Sequence, residues 1–154
     1  MITHLFVYGS LMGSISSPIA NYLKNNSQFL GEAFLEGTLY DIGKYPGLIP
    51  QPNIGRWVKG HVFQLSNPKE MLLVLDRYEG LGEGFPEPTE YLRVPTQVLL
   101  NKETIACWVY QYNYSTEQLS IIESGDYLQY FKTNKAFQEF VQTQVNYTRP
   151  KAKE

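Results

Sequence analysis

Only one cysteine stands among the 154 residues, Cys107, so no internal disulfide can form and no thiol-rich metal site can be built. It lies in the strand-like run Ile105-Ala106-Cys107-Trp108-Val109-Tyr110, where a thiol most often serves as a small buried hydrophobe. Histidine is nearly as scarce. His4 and His61 both read as satisfied structural residues, and two imidazoles without cysteine make a poor metal site, so no metal is expected. Basic residues are not in excess: 13 Lys and Arg face 15 Asp and Glu, a net charge of −2. That balance argues against nucleic acid as the partner, because binding phosphates needs a basic surface. No apolar run is long enough to span a bilayer, and Met1 leads directly into a strand-like segment. Neither a membrane anchor nor a signal peptide is therefore expected, and the chain reads as soluble and cytoplasmic. Also missing are a Walker A loop, a dinucleotide fingerprint, a Gly-x-Ser-x-Gly elbow, internal repeats and low-complexity tracts.

Aromatics and chain-breaking residues are plentiful. Twelve Tyr and eight Phe against two Trp point to a core and pocket lined by rings, and twelve Gly with nine Pro favour a turn-rich fold of many strands. Hydrophobic residues make up 43%, enough for one core. A single domain over residues 1–146 is expected. Residues 147–154, with Arg149, Pro150, Lys151 and Lys153, read as a flexible tail.

His4 to Tyr8 is almost continuously apolar and reads as a strand buried on both faces. It breaks at Gly9-Ser10-Leu11-Met12-Gly13, a loop whose backbone N–H groups suit an anion or oxyanion. Ser17-Pro18 opens a short helix with Ile19, Tyr22 and Leu23 on one face, ended by Asn25-Asn26-Ser27. Phe29 to Asp41 reads as two strand pieces around Gly37, and Gly43 to Pro50 as a rigid loop centred on Tyr45. Trp57 to Leu65 is a strand in which Gly60 marks a bulge or a close approach. Tyr91–Leu100 and Thr104–Tyr112 form a hairpin around Asn101-Lys102-Glu103. The stretch from Ser115 to Tyr130 reads as irregular, with a Ser124-Gly125-Asp126 turn, and a helix is predicted from about Asn134 to Val145. Strands in adjacent runs favour an α+β fold: a small barrel-like mixed or antiparallel sheet of six or seven strands with a few outer helices.

Between these strands lies a well-marked helix. Asn67 is a good N-cap, Pro68 fits the first position, Glu70 can close a capping box, and Gly80 is the natural stop. Met71, Leu72, Val74, Leu75 and Tyr78 share one arc, with Lys69, Glu70, Asp76 and Arg77 mostly opposite and Leu73 off the arc. Glu79 falls inside the apolar arc. A carboxylate there meets both desolvation and the negative end of the helix dipole, so its pKa is expected to rise toward the range useful for proton transfer. Glu83 is the nearest second carboxylate, but Gly80 and Gly82 break the helix between them, so no facing pair can be inferred. The loop from Gly82 to Glu90, with Glu83, Glu87 and Glu90, reads as surface.

These pieces together resemble a known family. Val7-Tyr8-Gly9-Ser10-Leu11 is similar to the Tyr-Gly-Ser/Thr-Leu signature of the γ-glutamylcyclotransferase-like superfamily, and Gly37-Thr38-Leu39-Tyr40-Asp41-Ile42-Gly43-Lys44-Tyr45-Pro46-Gly47-Leu48 to its second segment. Gly60 before Val62-Phe63, Leu75-Asp76-Arg77-Tyr78-Glu79-Gly80, Tyr91-Leu92-Arg93 and Ala106 to Tyr110 follow in the family's order, so the likeness spans Leu5 to Tyr112. It implies a small barrel-like α+β fold and cyclising release of pyroglutamate (5-oxoproline) from a γ-glutamyl compound, leaving a free amine or amino acid. The resemblance maps the catalytic general acid/base onto Glu79 and substrate binding onto Tyr8, Gly9, Ser10 and Leu11. Tyr45 and Tyr91 are expected to line the pocket. The partner implied is thus a small γ-glutamyl molecule, with no nucleic acid and no membrane, and because the substrate attacks itself no metal or cofactor is required. Two other readings stay open at this stage. One is a non-catalytic module binding a small carboxylate or amino-acid-like ligand on the same fold. The other is an interaction domain using the Gly43–Pro50 and Gly82–Glu90 loops.

Overall fold

The computed structural model of the chain describes residues 1–9, 11, 17–43 and 45–133. The helix expected over Asn134–Val145 and the expected tail lie outside the described residues, as does Ser10. Chain order is β1 (His4–Val7), α1 (Pro18–Asn25), β2 (Ser27–Asp41), β3 (Pro46–Pro50), β4 (Trp57–Leu65), α2 (Pro68–Tyr78), β5 (Tyr91–Leu100), β6 (Glu103–Tyr112), β7 (Ser120–Ile121) and α3 (Tyr127–Thr133).

Five strands close into a barrel in the order β2, β4, β1, β6, β5, and the ring is completed where Phe34 of β2 meets Leu99 of β5. At its centre is β1, with Leu5, Phe6 and Val7 all buried. It runs antiparallel to β4 (His4 opposite Gln64, Val7 opposite His61) and parallel to β6 through Leu5 and Trp108. Both faces of so short a strand must be apolar when it lies inside a closed ring, which is what its sequence supplies. The β5–β6 hairpin keeps one register from Tyr91 opposite Tyr112 to Leu100 opposite Glu103. Asn101 and Lys102, at φ 50° and 69°, form the two-residue turn whose twist matches that of the flanking strands. Two outer strands, β3 and β7, flank the second half of β2.

The long strand β2 corrects one expectation. It is one continuous strand, not two pieces: residues up to Glu36 pair with β4, and residues from Gly37 pair with β3. Gly37 marks the change of partner because a Cβ there would sit 2.4 Å from the Ile49 carbonyl oxygen. Pro46 to Pro50, expected as loop, is strand β3; its prolines are tolerated because it lies at an edge of the sheet. At Gly60 the close approach is the one that holds. A Cβ would lie 2.3 Å from the Val7 carbonyl oxygen, while the bulge falls between Phe29 and Gly31 of β2 instead. The stretch after Ser115 is more ordered than expected, holding β7 and the start of α3, with Tyr127 fully buried.

Helix α1 starts as its sequence predicts, with the Ser17 hydroxyl accepting the Ala20 N–H at 3.2 Å and Leu23 in the core. Helix α2 is built largely as expected, burying Met71, Leu72 and Leu75 and exposing Leu73, but Val74 is also exposed. The capping box is not formed, because the Asn67 side-chain amide donates to the Glu70 carboxylate instead of capping the backbone. Among the described residues no helix is long and apolar enough to cross a membrane.

Candidate active site

The end of α2 decides where the acid sits. Glu79 is its C-cap, and Gly80 follows at φ 83° in the left-handed region that a side chain would resist. Gly80 N–H donates to the Arg77 carbonyl at 3.1 Å and Leu81 N–H to the Asp76 carbonyl at 2.8 Å, the paired bonds of a Schellman ending. This sharp stop leaves Glu79 on the inward side of the helix, only 8% exposed. It lines a cavity of about 380 Å³, counting the open mouth.

Six of the seven residues singled out from the sequence come together there: Tyr8, Gly9, Leu11, Tyr45, Glu79 and Tyr91 all line this cavity. The seventh, Ser10, lies between two of them in sequence but outside the described residues. Gly9 owes its place to a close approach, since a Cβ would stand 3.0 Å from the Pro46 ring. Among the described lining residues Glu79 is the one carboxylate, and the rest are aromatic, aliphatic or glycine. The acid thus faces neither bulk water nor a distant part of the fold.

The tyrosine hydroxyls are largely committed to the frame. Tyr8 donates to the Tyr110 carbonyl at 2.6 Å and accepts from the Leu48 N–H at 3.3 Å. Tyr91 donates to the Pro46 carbonyl at 2.7 Å and meets Tyr112 edge-on, with ring centres 5.8 Å apart. Tyr45 donates to Glu90 Oε2 at 2.7 Å, so Glu90, expected on the surface, is half-buried and tied to a pocket residue. What the rings offer a ligand is mainly shape and an apolar wall.

Sequence reasoning missed Tyr110 and Asp76. Tyr110 lines the cavity and donates to Asp76 Oδ1 at 2.7 Å. Burial above all, and then the Asp76 charge and hydrogen bond and the Glu79 charge, push the Tyr110 phenol well above its ordinary pKa, with Arg93 opposing. Asp76 was placed on the wet side of α2 by its angle. Its side chain is in fact mostly covered, because Arg93 and Tyr110 reach it from the hairpin. Both residues lie inside segments matched to the family, Leu75–Gly80 and Ala106–Tyr110, and the alternation of β6 puts residues two apart on one face, but nothing local gave either a role in the site.

Cys107 is fully buried, and desolvation raises its thiol to about 12, so it is a core residue as expected. His61 is also buried, but the expectation that it is satisfied fails: among the described residues Nδ1 is enclosed without a hydrogen-bond partner, and desolvation lowers the pKa of the ring. No group of three His, Cys, Asp or Glu side chains among the described residues could hold a metal ion.

Comparison with known proteins falls on this same region. Residues 5–129 match the family described as Gamma-glutamyl cyclotransferase, AIG2-like. An Escherichia coli K12 protein named gamma-glutamylcyclotransferase family protein YtfP is 31% identical over 125 residues, which is 80% of this chain and 95% of that one. Among solved structures, an AIG2-like protein from Mus musculus superposes with a TM-score of 0.62 at 25% identity, covering 80% of this chain and 87% of its own. YkqA from Bacillus subtilis gives a TM-score of 0.65 at 19% identity over 88% of this chain and 44% of its own, a likeness of fold alone.

Proposed function

Because the chain belongs to the gamma-glutamyl cyclotransferase, AIG2-like family, we propose that it releases pyroglutamate and a free amine or amino acid from a small γ-glutamyl compound, with Glu79 as general acid and base. The observation that carries this reading is the burial of one carboxylate, Glu79, in the cavity that also takes in Gly9 and Leu11.

The chemistry asks for little more. The substrate's α-amine is an ammonium at neutral pH and must lose a proton before it attacks its own γ-carbonyl. The C–N bond to the leaving amine then breaks, and that nitrogen must gain a proton. One carboxyl group, desolvated and at the negative end of a helix, can take the first proton and deliver the second. Backbone N–H groups after β1 would hold the α-carboxylate or the oxyanion of the tetrahedral intermediate. Attack within one molecule leaves the enzyme mainly the task of folding the substrate into a reactive shape. The aromatic walls supply a rigid, water-poor cavity for that. No step calls for a cofactor or metal, and a cytoplasmic setting belongs to the same proposal.

The test is to incubate the purified protein with a panel of γ-glutamyl amines and γ-glutamyl dipeptides and to follow pyroglutamate by mass spectrometry. Release by the wild type and its loss in Glu79→Gln are expected. Full release by the variant would remove Glu79 from the mechanism. No release by wild-type protein from any member of the panel would overturn the activity.

A further inference from the structure

Three residues before Glu79, on the same helix, Asp76 is gripped more firmly than a solvated helix charge would be. Its Oδ1 accepts from Arg93 Nε at 2.8 Å and from the Tyr110 hydroxyl at 2.7 Å, and its Oδ2 accepts from Arg93 Nη2 at 3.1 Å. The Arg93 guanidinium is fixed in turn by lying over the Trp108 ring, 4.4 Å from its centre. Arg93 and Tyr110 face each other directly across the β5–β6 hairpin, so a single carboxylate takes hold of both strands. Its own backbone carbonyl receives the Leu81 N–H that turns the chain just beyond Glu79. Tyr110 shares the cavity wall with Glu79, and its carbonyl holds the Tyr8 hydroxyl beside Gly9.

We propose that Asp76 and Arg93 are positioning residues for the acid at Glu79. Asp76 fixes Tyr110 and the last turn of α2, and Arg93 cancels the charge that Asp76 brings beside that acid. The inference rests on the reading of Glu79 as the acid–base group for its purpose, though not for its geometry.

The physical case has two parts. Positions i and i+3 of a helix put their Cβ atoms about 5–6 Å apart, so a bare carboxylate at Asp76 would oppose ionisation of Glu79. A two-point guanidinium grip removes most of that charge while keeping the geometry. Charged and titratable groups around Glu79 among the described residues include Asp76 and Arg77 on its own helix, Tyr8, Tyr45, Tyr91 and Tyr110 around the cavity, and Arg93, which stands across the hairpin from Tyr110 and reaches Asp76. Arg77 is exposed and screened by water, whereas the Asp76 and Arg93 side chains are 19% and 22% exposed. Charges so placed act on Glu79 through a medium that screens them less.

The test removes one charge at a time and keeps the shape. Asp76→Asn leaves the Arg93 charge unopposed, and Arg93→Gln leaves the Asp76 charge unopposed. The carboxyl of Glu79, in protein labelled with carbon-13 at glutamate and assigned by Glu79→Gln, is titrated by NMR in each variant. We expect its midpoint to fall by about one pH unit in Asp76→Asn and to rise by about one unit in Arg93→Gln. A merely structural pair would lower thermal stability in both variants and leave the midpoint in place, and that result, or shifts of one sign, would overturn the proposal. Each variant has its own expected sign, so one folded variant decides the matter. Pyroglutamate release measured on the same samples separates the two ideas. Opposite shifts in the two variants, with no pyroglutamate released by the wild type, would sink the cyclotransferase and leave the positioning pair standing.

Discussion

Glu79 and His61 are buried to nearly the same degree, 8% and 7% exposed, and lie in different surroundings. Glu79 ends a helix and opens on a cavity with backbone and aromatic walls. His61 sits within β4, opposite Val7 on one side and Glu32 on the other, with the Phe29 ring edge-on at 5.1 Å. It does not line that cavity, and among the described residues Nδ1 has no hydrogen-bond partner. Burial of an ionisable group therefore does not make a site. What separates the two is that Glu79 lines a cavity shared with the loop after β1, whereas His61 is packed within the sheet.

The largest expected effect breaks the Glu79 side of this comparison. Glu79→Gln keeps shape and hydrogen bonding but cannot shuttle a proton, so turnover of a γ-glutamyl substrate should fall about 10³-fold, with thermal stability unchanged or slightly higher. His61→Phe should leave that turnover at the wild-type level. Equal losses in the two variants would erase the distinction. Next in size is Gly60→Ala, beside His61. A methyl there meets the Val7 carbonyl oxygen at 2.3 Å and the Phe6 ring at 2.5 Å, two parts of the barrel centre that cannot give way cheaply. A loss of about 3 kcal/mol is expected, read as a drop of roughly 10 °C in melting temperature. A drop of less than about 2 °C would mean that the strands separate more easily than their packing implies.

The two regions also differ in how readable they were. Trp57–Leu65 and the hairpin could be placed from alternation and turn chemistry, and Gly60 was legible as a bulge or a close approach, though which of the two, and to which strand, was not. Glu79 was found because a charge fell on an apolar arc just before a helix-stopping glycine, and both signals are local. The rest depended on contacts remote in sequence. Pro46–Pro50 looked like loop because prolines hide an edge strand whose partner lies in β2. Closure through Phe34 and Leu99 joins residues 65 apart, and no local pattern announces it. Asp76 was assigned to the water side by helical angle, which is correct for an isolated helix and fails once Arg93 and Tyr110 arrive from β5 and β6. Nor did anything in the pattern of β4 show that Nδ1 of His61 would be buried without a hydrogen-bond partner among the described residues.

That missing partner gives the smallest effect and the one that sharpens the comparison most. Desolvation, the largest cause, lowers the His61 pKa from the ordinary 6.5; the Glu32 charge opposes it and the Lys59 charge adds to it. Below about pH 6.5 the unfolded chain then binds a proton that the folded chain declines. The stability supplied by the neutral ring is complete above that pH, shrinks as pH falls, and stops changing once the folded pKa has been passed. Most carboxylates titrate lower, so the upper part of this window belongs to His61. His61→Phe removes both the proton and the unsatisfied nitrogen. It should raise stability by about 1 kcal/mol at pH 7, a few degrees in melting temperature, and by more at pH 5.5. Denaturant melts of the two proteins at pH 5.5 and pH 7.5 measure the difference. If the advantage of the variant does not widen toward acid, the histidine is better solvated than its surroundings indicate, and the contrast with Glu79 rests on the cavity alone.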